Sequence, residues 1–313
     1  IARGAIEAGV QVAAAYPGTP SSEVLGTLVT VAKDVGMYVE WSTNEKVAFE
    51  VAYAAAMCGL RSLSVMKQLG VNVALDSIKA ASYYGTSGGL VLMVADEPML
   101  TGGQQEWQDT RYLAQRDYVP ILEPSSVQEA KDMMVDAFNL SEEFEHPFIV
   151  RSVTRVSHAR GDVVLGEIPK KKRQGSFVEK PSPLVREHDT ADTEAFKRMQ
   201  RIKEAANTLL YNQLKLTSGA KLGIIACGLA YSYTAEAVSE MGLNDKISIL
   251  KVGTPYPLPE KLVKRLLNSV EEILVVEELE PFVELHVKAI AGEGNIPVKI
   301  HGKDLLPIGE TFT

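Results

Sequence analysis

Cysteine is nearly absent from this sequence. Cys58 and Cys227 are the only two in 313 residues, each in an apolar neighbourhood. Two isolated thiols supply neither a disulfide framework nor a Cys-x-x-Cys metal or cluster site, so a reducing, cytoplasmic setting is expected. The five histidines are scattered and none joins acidic residues at metal-ligand spacing, so no metal site is expected in this chain. Positive charge is not in excess: 32 Lys and Arg stand against 40 Asp and Glu, a formal charge of -8, which argues against nucleic acid as a partner. No apolar run approaches membrane-span length, and the N-terminus lacks a basic-then-apolar signal order. The chain opens at "IARGAIEAGVQV" without Met and already in a helical pattern, which reads as trimmed at the front.

Several catalytic motifs are missing too. No G-x-G-x-x-G follows the first strand candidate, and neither a Walker loop nor a G-x-S-x-G elbow occurs. Hydride transfer, nucleotide hydrolysis and serine hydrolysis lose support.

What is present is alternation. Apolar runs at 12–16, 37–41, 61–66, 90–95, 119–123 and 147–151 read as strands, with helical spacing at 21–33, 44–57, 72–84 and 126–140. Unbroken apolar strands separated by helices imply a parallel sheet covered on both faces. The stretch 167–190 is charged and aperiodic and reads as a linker, with Lys170 to Arg173 as a solvated basic run. Residues 191–214 look like one amphipathic helix, and a second alternating unit follows, with strands at 222–227, 247–252, 271–278 and 297–301. The expected architecture is α/β with two parallel-sheet domains. The expected division is residues 1–160, a charged linker and helix over 161–219, and residues 220–313.

Four stretches carry candidate chemistry. In "YPGTPSSEV" (16–24), Gly and Pro make a tight turn and Ser21 or Ser22 can cap the next helix. Thr19 is not explained as punctuation, and it stands at the carboxyl end of a strand, where α/β proteins keep their ligands. In "VEWSTNEKVAFEVAYAAAMCG" (39–59), Ser42 and Glu45 fit a capping box, which would make Glu45 a helix-end group. The small residues behind it, Ala48, Ala52, Ala54, Ala55 and Ala56, permit close approach by another element, often a second subunit. A carboxyl sheltered there can exchange a proton with a bound heterocycle.

In "MKQLGVNVALDSIKAASYYG" (66–85), Gly70 ends a turn, Asn72 can cap the helix, and Lys67 and Gln68 lie at a strand end beside Thr19 and Glu45. A solvent-exposed loop lysine is the alternative for Lys67. In "ADEPMLTGGQQEWQDTRYLAQRDYVP" (95–120), Asp96, Thr101, Gly102, Gly103, Gln104 and Gln105 suit a substrate-facing lid, and Asp109 and Arg111 a local ion pair.

Together with "RVSHARG", "GTPYPLPEKLV", "VVEELEPFVE" and "GKDLLPIGE", these stretches resemble the alpha subunits of indolepyruvate ferredoxin oxidoreductases, which are thiamine-diphosphate-dependent 2-oxoacid:ferredoxin oxidoreductases. The resemblance implies a pyrimidine-binding domain followed by a transketolase C-terminal-like domain, with the cofactor at a dimer interface. It implies that Glu45 is catalytic, hydrogen-bonding N1′ of the aminopyrimidine and promoting loss of the thiazolium C2 proton. Thr19 would bind the substrate carboxylate, with Lys67, Thr101 and Gln104 also on the substrate side. Pro17, Gly18, Gln68 and Asn72 would line the cofactor. The implied partners are a second copy or a diphosphate-binding domain, a smaller beta/gamma-type subunit, and ferredoxin.

The chain departs from the family in two places. The loop before "QDTR" carries Thr101, Gly102 and Gly103 in place of His and two serines, with Trp107 as an additional residue, which bears on any arylpyruvate preference. No Gly-Asp-Gly motif for Mg2+-diphosphate occurs, nor do cluster-binding cysteines. Mg2+ with the diphosphate, the iron-sulfur clusters and coenzyme A are therefore expected elsewhere in the complete enzyme. A pyruvate or branched-chain 2-oxoacid enzyme, a non-catalytic dimerisation and cofactor-cradling module, and a transketolase-like ligase or non-oxidative decarboxylase are the competing readings.

Overall fold

The computed structural model describes residues 1–96, 107–170, 173–177 and 191–309. Six strands form the first sheet: β1 (Val12–Ala15), β2 (Tyr38–Trp41), β3 (Ser62–Lys67), β4 (Leu90–Asp96), β5 (Ile121–Leu122) and β6 (Phe148–Val153). All pair in parallel, in the order β2-β1-β3-β4-β6-β5.

The apolar runs are continuous because both faces are covered. Leu63, Val65, Val91 and Met93 pack with α1 (Ala2–Glu7), α2 (Ser22–Val35) and α6 (Val127–Phe144) on one face. Met66, Leu90, Leu92 and Val94 pack with α3 (Glu45–Met57), α4 (Gln68–Tyr84) and α5 (Thr110–Asp117) on the other. A short α7 (Thr154–His158) follows β6.

The alanines of α3 serve this chain's own sheet. Ala48, Ala52 and Ala56 are fully buried, and Ser62 Oγ donates to the Ala52 carbonyl at 2.6 Å. Small residues on helix and strand bring the two backbones close, so this stripe is not free for a second subunit; Ala54 alone of the set faces outward, and is exposed.

The linker hugs the first sheet's layer in its described parts. Arg3 donates to the Gly166 carbonyl at 2.8 Å, Gly166 N to Glu7 at 2.7 Å, and Ser176 N to the Cys58 carbonyl at 2.9 Å. Arg173 is ion-paired with Glu142, so the basic run is not wholly solvated.

The helix after the linker is shorter than its apolar spacing predicts. α8 (Ala191–Ala206) ends where Asn212 takes over the backbone. Its amide donates to the Ala206 carbonyl at 2.7 Å and to Thr254 Oγ1 at 2.6 Å, and accepts from Gly253 N at 2.8 Å and Thr254 N at 3.1 Å. Four bonds to one buried amide turn the chain into β7 (Gln213–Lys215) rather than another helical turn.

The second sheet holds β7, β8 (Leu222–Cys227), β9 (Ile247–Val252), β10 (Glu272–Val276) and β11 (Lys299–His301), in the order β11-β10-β8-β9-β7. It is mixed rather than purely parallel, because β7 enters without a crossover helix and lies antiparallel on the β9 edge. Its helices are α9 (Leu229–Glu240), α10 (Glu260–Leu267) and α11 (Phe282–Glu293). The two sheets meet directly: Ile121 N donates to the Tyr256 carbonyl at 2.7 Å and Glu123 N to the Gly253 carbonyl at 2.8 Å. Among the described residues no helix is long and apolar enough to cross a membrane.

Candidate active site at the rim of the first sheet

From β1 the chain moves outward to β2, then returns past β1 to β3 on its other side. The segments leaving β1 and β3 therefore diverge, and a crevice opens at the carboxyl ends of these strands. Thr19 lies on the β1 loop, and Lys67, the last residue of β3, passes directly into α4. Glu45 enters from the β2 loop as the first residue of α3.

The turn after β1 is held by its serines, but not by helix capping. Ser21 Oγ donates to the Gly18 carbonyl at 2.6 Å, and Ser22 Oγ accepts from Gly18 N at 2.7 Å. Both hydroxyls point back into the loop, which leaves Pro17 and Thr19 exposed at its tip. A β-carbon on Gly18 would lie 3.0 Å from Lys67 Cγ and Cδ. The lysine stem thus lies along the glycine, and Thr19 and Lys67 belong to one crevice. The Lys67 ammonium has no hydrogen bond or ion pair among the described residues.

The cap of α3 is Asn44, whose Oδ1 accepts from Val47 N at 2.9 Å. Ser42 cannot take that place. Its N–H is bonded to the Ala15 carbonyl at 2.8 Å, continuing the β1–β2 ladder, and its hydroxyl donates to Glu40 at 2.8 Å. The capping-box reading of Glu45 therefore falls. Its side chain turns inward instead, is 8 % exposed, and makes no hydrogen bond or ion pair among the described residues. A buried carboxyl without a donor is costly, and the helix N-terminus offsets only part of that cost. Such a group is set up to take a hydrogen bond from something else.

Gly70 makes its seat. A β-carbon there would stand 2.5 Å from Glu45 Cγ and 2.7 Å from Oε1. Gly70 is not a turn ending, as its sequence context suggested, but part of the first turn of α4, with Glu45 against it. Asn72 does not cap either; it lies a turn inside α4, exposed, and donates to Gln108 Oε1 at 2.6 Å. Gln108 Nε2 in turn donates to the Gln68 carbonyl at 2.7 Å, and the Gln68 side chain is buried. Thr101 and Gln104, with Gly102, Gly103 and Gln105, lie outside the described residues. Tyr16, Trp41, Val73 and Trp107, all on segments that border this rim, are exposed.

Sequence reasoning missed a second constellation. Asp96 is not part of a lid. It is fully buried, accepting from Arg151 Nε at 2.5 Å and from Thr110 Oγ1 at 2.5 Å. Arg151 also donates to Glu123 at 2.6 Å. Asp109 and Arg111 do pair locally, at 2.5 Å, but Arg111 is 1 % exposed and also donates to Glu277 of the second sheet's layer at 2.6 Å. Burial raises the carboxyls of Asp96 and Glu277 above their ordinary range, despite the arginines beside them. Burial works the same way on Asp109, but the Arg111 charge and its hydrogen bonds outweigh it and hold that carboxyl below its ordinary range. The pattern "QDTR…VVEELEP" held these residues, but nothing local says that residues 166 apart touch.

Comparison with known proteins bears on the whole arrangement. Residues 3–215 match the family described as pyruvate flavodoxin/ferredoxin oxidoreductase, thiamine diphosphate-binding. The chain belongs to that family. In addition, residues 212–305 match the indolepyruvate oxidoreductase domain. Within the family, the chain is 48 % identical to the indolepyruvate oxidoreductase subunit IorA of Pyrococcus horikoshii, over 98 % of this chain and 48 % of that protein. It is 43 % identical to the IorA of Archaeoglobus fulgidus, over 96 % of this chain and 49 % of that one. The chain thus spans about half the length of these curated relatives.

The 2-oxoglutarate synthase subunit KorA of Methanothermobacter thermautotrophicus is 28 % identical over 88 % of this chain and 85 % of its own. Among solved structures, the fold matches 2-oxoglutarate:ferredoxin oxidoreductase from Magnetococcus marinus, with 2-oxoglutarate, coenzyme A and succinyl-CoA bound. That match has a TM-score of 0.78 at 16 % identity and covers 100 % of this chain and 61 % of the other. A split-gene transketolase, an inactive beta4 tetramer, matches at 0.61 and 11 % identity, over 96 % and 86 %. Both likenesses are of fold.

Proposed function

We propose that this chain is the pyrimidine-side portion of a thiamine-diphosphate-dependent 2-oxoacid:ferredoxin oxidoreductase that decarboxylates indolepyruvate or a related arylpyruvate to the acyl-CoA. One observation carries the reading: a sheltered Glu45 carboxyl, without a partner among the described residues and seated against Gly70 at the switch-point crevice of the sheet. The family match and the names of the IorA relatives support it.

The residues present fit the aminopyrimidine half of the cofactor. Glu45 lacks a donor in the described chain, and Gly70 removes the β-carbon that would displace it. When bound, thiamine diphosphate supplies the electron sink that lets carbon dioxide leave. The chain supplies the proton handling and the orientation. Glu45 would hold a proton at N1′ of the pyrimidine ring and pass it back and forth as the ring's tautomer changes. Thr19 would donate its hydroxyl to the substrate carboxylate, and the Lys67 ammonium would add positive charge beside it. The backbones of Pro17 and Gly18 would border the cofactor from the β1 loop, and Gln68 and Asn72 from α4. Thr101 and Gln104 are assigned to the substrate side by resemblance.

The diphosphate with its Mg2+, the iron-sulfur clusters and the coenzyme A site are assigned to portions of the enzyme outside this chain. The exposed Tyr16, Trp41, Val73 and Trp107 suit coverage by a second copy or by the diphosphate-binding domain. A smaller beta/gamma-type subunit and ferredoxin complete the proposed assembly, in the cytoplasm. The division of the chain into residues 1–160, 161–219 and 220–313 belongs to the same proposal.

The test is thiamine-diphosphate-dependent viologen reduction by the complete enzyme, with coenzyme A present and indolepyruvate, phenylpyruvate or pyruvate as substrate. Arylpyruvates are expected to give the higher kcat/KM. Preference for pyruvate would move the chain to a different substrate class, and no thiamine-dependent reduction with any of them would overturn the reading.

A further inference from the structure

Like the first sheet, the second has a switch point. β8 leads to β9 on one side while β10 lies on the other, so a crevice forms beyond Cys227 and Val276. In this protein a side chain of the first sheet's layer fills it. Arg111 enters the crevice, donating to Glu277 Oε2 at 2.6 Å and to the carbonyls of Glu278 and Glu280 at 3.1 and 3.2 Å. Its guanidinium lies 5.2 Å from the centre of the Phe282 ring. Glu277 is itself fixed, because its carboxylate accepts from Val283 N at 2.9 Å and Glu284 N at 2.8 Å, in the first turn of α11.

The other edge of the guanidinium grips Asp109, which caps α5 by accepting from Arg111 N at 3.1 Å. The residue before Asp109 is Gln108, bonded to the Gln68 carbonyl and to Asn72 on either side of Gly70. The links from the α11 N-terminus through Arg111 and Asp109, and from Gln108 to the Gln68 carbonyl, are thus bonds between buried or partly buried groups, while the bond from Asn72 to Gln108 lies at the exposed surface.

We propose that Glu277 is a positioning residue for the reaction: by holding Arg111 in the second sheet's crevice it fixes Gln108 against α4, and through α4 the seat of Glu45. The inference rests on Glu45 being the proton-exchanging group. It gives the second sheet a role in catalysis without a ligand of its own. A plain interdomain staple would look different. Lys251 of β9 is such a staple: it pairs with Glu129 of α6, whose carboxylate otherwise accepts from Ser125 N and Oγ at the start of that helix.

The experiment compares Glu277→Gln with Lys251→Met in the complete enzyme, and Arg111→Lys serves as a second variant should Glu277→Gln fail to fold. In Glu277→Gln, kcat is expected to fall about tenfold to a hundredfold with the 2-oxoacid KM within about twofold, since the loss is one of positioning. Hydrogen exchange in residues 69–76 is expected to quicken in the same variant, measured without substrate. Lys251→Met is expected to lower Tm but leave kcat and that exchange as in the wild type. Unchanged exchange at residues 69–76 in Glu277→Gln, or kcat losses in both variants that simply track Tm, would overturn the proposal. If exchange quickens but Glu45→Gln turns over normally, the positioning chain stands and the reading of Glu45 is what fails.

Discussion

A β-carbon on Gly70 would stand 2.5 Å from Glu45 Cγ, so the first turn of α4 and the first residue of α3 fit only because position 70 has no side chain. Two helices that follow different strands are thereby locked at one point, and that point holds the carboxyl on which the proposed chemistry turns.

Gly70→Ala tests that lock. Alanine favours the helix by up to about 1 kcal/mol, while overpacking costs about 1–3 kcal/mol, so stability should change little. Glu45 is a side chain and can swing away, whereas the α4 backbone cannot, so activity should fall far more, by about a hundredfold. The check is kcat beside Tm, repeated in a Glu45→Gln background. There the alanine should add almost nothing, because both changes remove one function.

Thr19→Val removes a hydroxyl from the exposed tip of the β1 loop while keeping its shape. KM for the 2-oxoacid should rise and kcat should fall, with Tm unchanged. Steady-state kinetics on two substrates of different side chain check this. An unchanged KM would take Thr19 out of the site.

Arg151→Met leaves Asp96 and Glu123 buried without their cation. Breaking such a network by removing one partner costs about 3–5 kcal/mol. Burial already raises the Asp96 carboxyl, so it is the group that takes up a proton when Arg151 is gone. The deficit relative to wild type should therefore shrink as pH falls, because the protonated carboxyl no longer needs the arginine. Urea unfolding of both proteins at pH 7 and pH 5 measures it.

His146 gives the wild-type protein its own acid sensitivity. Its ring is fully buried, with Nε2 at 2.7 Å from the Tyr118 carbonyl and Nδ1 at 3.3 Å from Arg198 Nε. A carbonyl only accepts and a guanidinium only donates, so the proton sits on Nε2 and the ring is neutral. Burial, with the Arg198 charge adding to it, pushes the imidazole from 6.5 down to about 4. The unfolded chain thus binds a proton that the folded one refuses. The contribution of His146 to stability should be level above about pH 6.5, fall between there and about pH 4, and level again below, a loss of about 3 kcal/mol from this one group. Unfolding free energies of His146→Gln across that window should be flatter than those of wild type.

The inner strands β1, β3, β4, β6, β8 and β9 were legible because they are largely buried and read as apolar runs; β7, an edge strand with two exposed residues, was hidden inside the stretch read as helix, and of the five-residue run at β5 only Ile121 and Leu122 pair. The segments that carry Thr19, Glu45 and Lys67 were legible as strand ends. Local capping patterns misled. Ser42 and Glu45 have the right spacing, but Ser42 is held by the β1–β2 ladder and Asn44 is the residue free to cap. The length of α8 was hidden because Leu209 and Tyr211 continue its apolar spacing, whereas the stop comes from Asn212 reaching Thr254. Contacts such as Glu45 with Gly70 and Arg111 with Glu277 join separate elements, and no periodicity within one segment reports them.

Glu45→Gln in the complete enzyme tests the account most directly. Glutamine keeps the length and the fit against Gly70 but cannot hand on a proton. The account predicts a fall in kcat of about 10²–10⁴-fold, with Tm and KM close to wild type. Turnover at the wild-type rate would contradict it, and Glu45 would be left as a buried group without a part in the chemistry.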